Sequence, residues 1–236
     1  MADIRSIDDI ALSLSQVPDK ASPQHGYAAD VYDRYFGPLR EKPISLLEIG
    51  VQEGPSMMLW SQVFPEGKIL GIDVDLSKCK FHPSNVWLEE CDVNNSERLH
   101  DVASRHGPFD VVIDDGSHFA HEQMAAFRTL WAFVKPGGYF VIEDLQVNYW
   151  YGAEGSAMVD FLGGELQRAL HARGTILWAR PSPEEQATLS PLEQEIEFIH
   201  LYRYIAVLRK RNERGRVRPE RSESEARVST NGPDEP

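Results

Sequence analysis

Two hydrophobic rhythms alternate between residues 44 and 144. Short apolar runs cover Ile44–Ile49, Lys68–Ile72, Asn85–Glu90, Phe109–Ile113 and Tyr139–Ile142, and each reads as a buried strand. Between them lie stretches of helical periodicity: one opening at Pro55, one over Glu97–Arg105 and one over Phe119–Val134. Strand and helix in this order predict right-handed βαβ units, hence an α/β fold with a doubly wound, mostly parallel sheet. Two later runs, Ile196–His200 and Tyr204–Leu208, predict an antiparallel hairpin that completes a seven-stranded sheet.

Upstream of the sheet, Ile7, Ile10, Ala11 and Leu14 form a helical stripe within Ile4–Val17, which Pro18 ends. A second helix over Tyr27–Phe36 places Tyr27, Val31 and Tyr35 on one face. With Lys20 and His25 beside it, this segment reads either as aromatic packing or as a substrate-binding cover. The expected division is residues 1–40 as a helical lid, 41–210 as the main domain and 211–236 as a disordered tail. The tail lacks apolar periodicity, and Arg, Glu, Ser and Pro dominate it. Met158–Arg173 reads as a further helix and Pro181–Pro191 as a polar loop.

Composition narrows the partners. Against 37 Asp+Glu stand 24 Lys+Arg, a formal net charge of -13, which disfavours nucleic acid and anionic membranes as the main target. No apolar stretch is long enough to span a bilayer, and the N-terminus lacks the pattern of a signal peptide. Cys79 and Cys91 are too few for a disulfide scaffold or a thiolate metal site. A cytoplasmic location with reduced thiols is the expectation.

Candidate chemistry sits where strands end, the side on which open α/β sheets bind ligands. After the first strand, Glu48-Ile-Gly50-Val-Gln-Glu-Gly54 forms a glycine turn. Met57 stands where a dinucleotide fingerprint needs its third glycine, and no P-loop lysine follows. A nucleoside without a pyrophosphate suits this turn. Glu48, facing a cationic ligand group, favours S-adenosylmethionine over NAD. Asp73, ending the second strand, is placed to accept from a ribose diol, and Asp92, ending the third, from an adenine amino group. The fourth strand ends in Asp114-Asp115-Gly-Ser-His118 and the fifth in Glu143-Asp144. Asp115, Glu143 and Asp144 make an all-oxygen set suited to Mg²⁺ or Ca²⁺. His118, beside a helix start that favours its neutral form, is the candidate general base. Asp114, one residue earlier, faces the other side and supports the cofactor half of the site. Tyr149 and Trp150 follow the acid pair, as core packing or as a surface stacked on a sugar ring or aglycone.

Asp19-Lys20, His25-Gly-Tyr27, Leu47-Glu48-Ile-Gly50, Gly71-Ile-Asp73, the Phe109–His118 run and Pro136–Asp144 together resemble one family. It is the metal-dependent class I S-adenosylmethionine methyltransferases that O-methylate deoxysugars of macrolides and related antibiotics. The resemblance covers about residues 19–210. It implies that Asp115, Glu143 and Asp144 hold Mg²⁺, that His118 is the base and that Asp73 holds the ribose. It further implies a glycoside or sugar-nucleotide substrate and a homo-oligomer. The sequence departs from the family in having no segment long enough for its N-terminal auxiliary domain, and in Cys91-Asp92-Val93-Asn94, where a glutamine is expected after the Asp. Competing expectations are a catechol or phenol O-methyltransferase of the same fold, a tailoring oxidoreductase resembling cephalosporin hydroxylase, and a non-catalytic nucleoside-binding protein.

Overall fold

Each of the five apolar runs forms a parallel strand in the computed structural model, which describes residues 5–81, 83–150, 157–167, 170 and 190–212. They are β1 (Ser45–Ile49), β2 (Lys68–Asp73), β3 (Val86–Glu90), β4 (Phe109–Asp114) and β5 (Val134–Ile142). With β6 (Ile196–Leu201) and β7 (Ala206–Lys210) they make a seven-stranded sheet of order β3-β2-β1-β4-β5-β7-β6. The β5–β7 and β7–β6 pairs are antiparallel. The chain reverses from β1–β2–β3 on one side to β4–β5 on the other, so the crevice between β1 and β4 is the topological switch point.

Two apolar layers cover the sheet. On one face α4 (Ser96–His106), α5 (Ala120–Leu130) and α6 (Ala157–Asp160) pack on alternate residues such as Leu47, Leu70, Val112 and Phe140. On the other, α1 (Ile7–Leu12), α2 (Asp33–Phe36) and α3 (Pro55–Val63) meet Leu46, Ile69, Val111 and Val141. A last short helix, α7 (Pro191–Glu195), leads into β6. No helix among the described residues is long and apolar enough to cross a membrane.

Local chemistry moved several boundaries. A capping box between Ser6 and Asp9 starts α1, but the helix stops at Leu12 rather than Val17. Ser13 there turns its hydroxyl back onto the Ile10 carbonyl, competing with the helical ladder. The segment before β1 is a π-helical turn, Ala28–Tyr32, running directly into α2. Tyr27, Val31 and Tyr35 do share a buried face, so this segment is built into the core. Helix α5 ends at Leu130, and Val134 already pairs with Phe109. An irregularity in β5 absorbs the residues up to Tyr139, the next to pair, with Val111. β7 extends through Lys210, where the Arg209 guanidinium lies 5.5 Å from the Tyr139 ring centre. The expected loop over residues 181–189, the helix beyond residue 170 and the tail from residue 213 lie outside the described residues.

Candidate active site

Above the switch point lies a cavity of about 430 Å³ lined by Gly50, Asp73, Asp92, Asn94, Asp115 and Glu122, among others. Gly50 has φ 92, and a Cβ there would sit 2.0 Å from the Asp115 carbonyl oxygen. Only glycine lets the β1 turn approach the end of β4 so closely. Asp73 Oδ2 accepts from the Val51 and Gln52 amides at 2.8 and 2.9 Å, so it shapes the glycine turn while facing the cavity. Asp92 accepts from the Asn94 amide at 2.8 Å, and Asn94 in turn donates to Glu122 at 2.8 Å, closing the far wall.

Three expected cofactor residues stand behind this cavity rather than in it. A Cβ on Gly54 would meet the Cys79 sulfur at 2.8 Å, so that glycine serves the packing of the loop after β2. Asp114 is buried, with only the Gly116 amide near its Oδ1, at 3.4 Å, and burial pushes its carboxyl up to about 7. Glu48 is fully buried, accepts from the Trp60 indole and lies 3.2 Å from the Lys20 ammonium. The cation beside Glu48 is therefore part of the protein.

Lys20 organises the acidic ends of the strands. Its Nζ lies 2.5 Å from Asp115 Oδ2 and 2.8 Å from Glu143 Oε1, with Glu48 as third partner, and its side chain has no exposed surface. Burial alone would lower the Lys20 pKa, but Asp115, Glu143 and Glu48 raise it well above its usual value, so the amine stays charged. Burial also raises Glu48, to about 7, and raises Glu143, which Asp115 pushes up further. Tyr32 completes this side by donating its hydroxyl to Glu143. Lys20 was expected among substrate-binding residues; in this structure its side chain is fully buried among three carboxylates.

The other side of Asp115 faces His118 and Asp144. These three each offer a donor atom, all within 4.8 Å of one another. His118 Nε2 is 3.5 Å from Asp144 Oδ2, and its Nδ1 is buried without a hydrogen-bond partner. His118 and Asp144 both hold left-handed backbones, φ 63 and 54, uncommon for residues with side chains and typical of constrained sites. His118 precedes the N-cap of α5, Phe119, by one residue. Asp144 Oδ1 accepts from Tyr27 at 2.8 Å and Gln146 at 3.0 Å, with His25 Nε2 at 3.4 Å. Burial works to raise the Asp144 carboxyl, but the Gln146 and Tyr27 hydrogen bonds prevail and hold it below its usual value.

Of the other expected substrate-binding residues, Tyr27 is buried and its ring stacks on His25 at 5.0 Å, so both buttress Asp144. Tyr149 and Trp150 stand out in solvent, 63% and 68% exposed, as an aromatic surface past the acid pair. Sequence reasoning missed Tyr32, Gln123, Gln146 and Asn148. Asn148 Nδ2 donates to the His118 carbonyl and to Gln123 Oε1, both at 3.0 Å, while Gln123 Nε2 donates to the Glu143 carbonyl at 3.0 Å. One signal for Gln123 was available: it lies on the apolar stripe Ala120–Gln123–Ala126–Phe127 of α5, where a polar residue needs a buried partner.

Residues 47–145 match a family described as a methyltransferase domain. The chain is 34% identical over 218 residues to 8-demethyl-8-(2-methoxy-alpha-L-rhamnosyl)-tetracenomycin-C 3'-O-methyltransferase of Streptomyces olivaceus, covering 87% of this chain and 55% of that protein. It is 33% identical over 196 residues to mycinamicin VI 2''-O-methyltransferase of Micromonospora griseorubida, covering 79% and 49%. A solved structure of the MycE methyltransferase from the mycinamycin pathway, in complex with Mg, SAH and mycinamycin VI, superposes with TM-score 0.75 at 28% identity, over 88% of this chain and 54% of that one. The chain thus spans about half the length of the curated relatives it matches.

Proposed function

Residues 47–145 belong to the methyltransferase-domain family and the chain resembles sugar O-methyltransferases of antibiotic pathways, and from that premise we propose that it methylates a sugar hydroxyl on a glycosylated natural product. S-adenosylmethionine is the methyl donor and Mg²⁺ the metal in this reading. The observation that carries it is the double position of Asp115, which lines the cavity at the switch point and also joins His118 and Asp144 in one cluster. Cofactor cleft and candidate base meet at that residue.

The residues present fit both groups. Gly50, Asp73 and Asp92 line a cavity large enough for a nucleoside and adjoining side chain. Asp115 and Asp144 offer the hard oxygen donors Mg²⁺ prefers, while Glu143, the third expected ligand, lies outside their cluster in this structure with its Oε1 held by Lys20 and Tyr32. When bound, Mg²⁺ supplies positive charge that acidifies a hydroxyl, and S-adenosylmethionine supplies an electrophilic methyl group.

The chain's own residues do the rest. His118 takes the hydroxyl proton as the oxygen attacks, and Asp144 beside its Nε2 stabilises the imidazolium so formed. Asp144 is suited to this because its hydrogen bonds favour the anion. The Asn148 and Gln123 amides fix the backbone that carries the base. Exposed Tyr149 and Trp150 offer an apolar surface on which a sugar ring or aglycone rests. Most of the rate comes from alignment, since the sulfonium is already an activated leaving group.

Calorimetric titration with S-adenosylmethionine and NADH, each with and without Mg²⁺, tests this reading. Saturable binding of S-adenosylmethionine and none of NADH is expected. Binding of NADH alone would replace the proposal with an oxidoreductase.

A further inference from the structure

Two consecutive residues near the start of α5 hold the candidate base from opposite sides. Gln123 serves the acidic centre: it donates to the Glu143 carbonyl and accepts from Asn148, which also holds the His118 carbonyl. Glu122 serves the other side. Its side chain is 20% exposed and lines the cavity above the switch point. Glu122 Oε1 accepts from Asn94 Nδ2 at 2.8 Å, and Oε2 accepts from the Ser117 hydroxyl. Ser117 Oγ in turn accepts from the Phe119 amide at 3.3 Å, so one hydroxyl spans the residue between them, His118. At the opposite end the Asn94 amide donates to Asp92 at 2.8 Å. A chain of hydrogen bonds, Asp92–Asn94–Glu122–Ser117, thus runs along the cavity wall, and all four residues line it.

We propose that Glu122 is a positioning residue that carries occupancy of the nucleoside cavity to His118, through Asn94 on one side and Ser117 on the other. The inference rests on the methyltransferase reading above and adds a link between its cofactor half and its base. An ionised carboxylate bonds both donors with charge assistance, so the link is stiffer than one between neutral groups. A nucleoside in the cavity stands against Asn94 and Glu122, and its contacts favour one arrangement of the pair. His118 holds a positive φ, a conformation that persists only where neighbours over-determine it. Ser117 is one of those neighbours, and Glu122 holds it. Filling the cavity therefore tightens the turn that carries the imidazole, and the base is aligned when the methyl donor is in place.

Nitrogen-15 NMR of ring-labelled histidine in the full chain, at fixed pH and without metal, tests this with S-adenosylhomocysteine as the probe. The His118 signal is identified by its absence in His118→Ala. Thermal melting checks the fold of each variant, and calorimetry sets a saturating probe concentration for each. Wild type should show a shift of the His118 signal on binding. In Glu122→Met that shift should fall below about half of the wild-type value while the probe still binds, whereas a shift from direct contact would persist. Glu122→Gln should keep more than about half, because its amide accepts from Ser117 and donates to a flipped Asn94. Asn94→Ala cuts the chain at its exposed end and should behave as Glu122→Met does; it decides alone should Glu122→Met fail to fold. Retention of half the shift or more in either cut variant overturns the inference. So does an equal loss in Glu122→Gln, which would assign the effect to charge, and so does a wild type that binds the probe with no response at His118. Absence of probe binding by wild type overturns it together with the methyltransferase reading.

Discussion

His118 holds a backbone conformation that residues with side chains seldom adopt, φ 63, and a single amide, Asn148, donates to its carbonyl. Asparagine can donate there and aspartate cannot. Asn148→Asp should lower methyl-transfer turnover by about 10- to 100-fold while leaving S-adenosylmethionine affinity unchanged, the split expected when a base is mispositioned rather than a cofactor lost. Steady-state kinetics beside calorimetry would read it, and equal losses in turnover and cofactor affinity would contradict it. The residues that end strands were legible in the sequence because an apolar run followed by Asp or Glu marks a strand end on its own. Lys20 was legible as a binding group but not as a buried one. Its partners Glu48, Asp115 and Glu143 come from three different strands, and no local pattern reports such convergence.

At the level of elements, the β1 turn and the end of β4 are brought together by a missing side chain. Gly50→Ala would set a methyl group 2.0 Å from the Asp115 carbonyl and would strain a positive φ. We expect a loss of about 1–3 kcal/mol in stability and of cofactor binding, measurable by denaturant unfolding and calorimetry. On the outer edge of the sheet, Glu89 of β3 is clasped by Arg98, Arg105 and His106 of α4. Hydrogen bonds from Arg105 in the main, aided by His106, hold the Glu89 carboxyl down at about 2. A carboxyl lowered by folding contributes stability that is full above its unfolded pKa and fades as pH falls toward the folded one. The melting-temperature advantage of wild type over Glu89→Gln should thus be constant above about pH 4.5 and shrink below it. An advantage that grows on acidification would contradict this. Strand identity was readable from the pattern of apolar runs, whereas the early ends of α1 and α5 were not. Those ends depend on the Ser13 hydroxyl and on the pairing of Val134 with Phe109, which lie outside any periodicity.

Over the whole molecule, the segment before β1 is more than a cover. Ile7, Ile10, Val31, Tyr32 and Phe36 share one core with the sheet face, while Lys20, Tyr27 and Tyr32 reach the acid pairs. Deleting residues 1–36 should abolish cooperative unfolding, followed by circular dichroism, because it uncovers that face and strands Glu48 and Glu143 without their cation. A sharp, wild-type-like transition would show that the segment is dispensable. The doubly wound sheet was visible in the order of strands and helices, since that order leaves few topologies. The dependence of one face on the N-terminal segment was not, because an aromatic-rich stretch reads equally as packing or as cover. The most direct test of the central claim is methyl transfer itself. Wild type and His118→Ala would be incubated with methyl-labelled S-adenosylmethionine and a rhamnosylated or deoxysugar-bearing acceptor, with Mg²⁺ or with chelator. The account predicts label on a sugar hydroxyl with wild type and Mg²⁺, loss of it on chelation, and a fall of about 10²–10⁴-fold in His118→Ala with cofactor binding intact. Equal transfer by His118→Ala, or transfer indifferent to chelation, would contradict it.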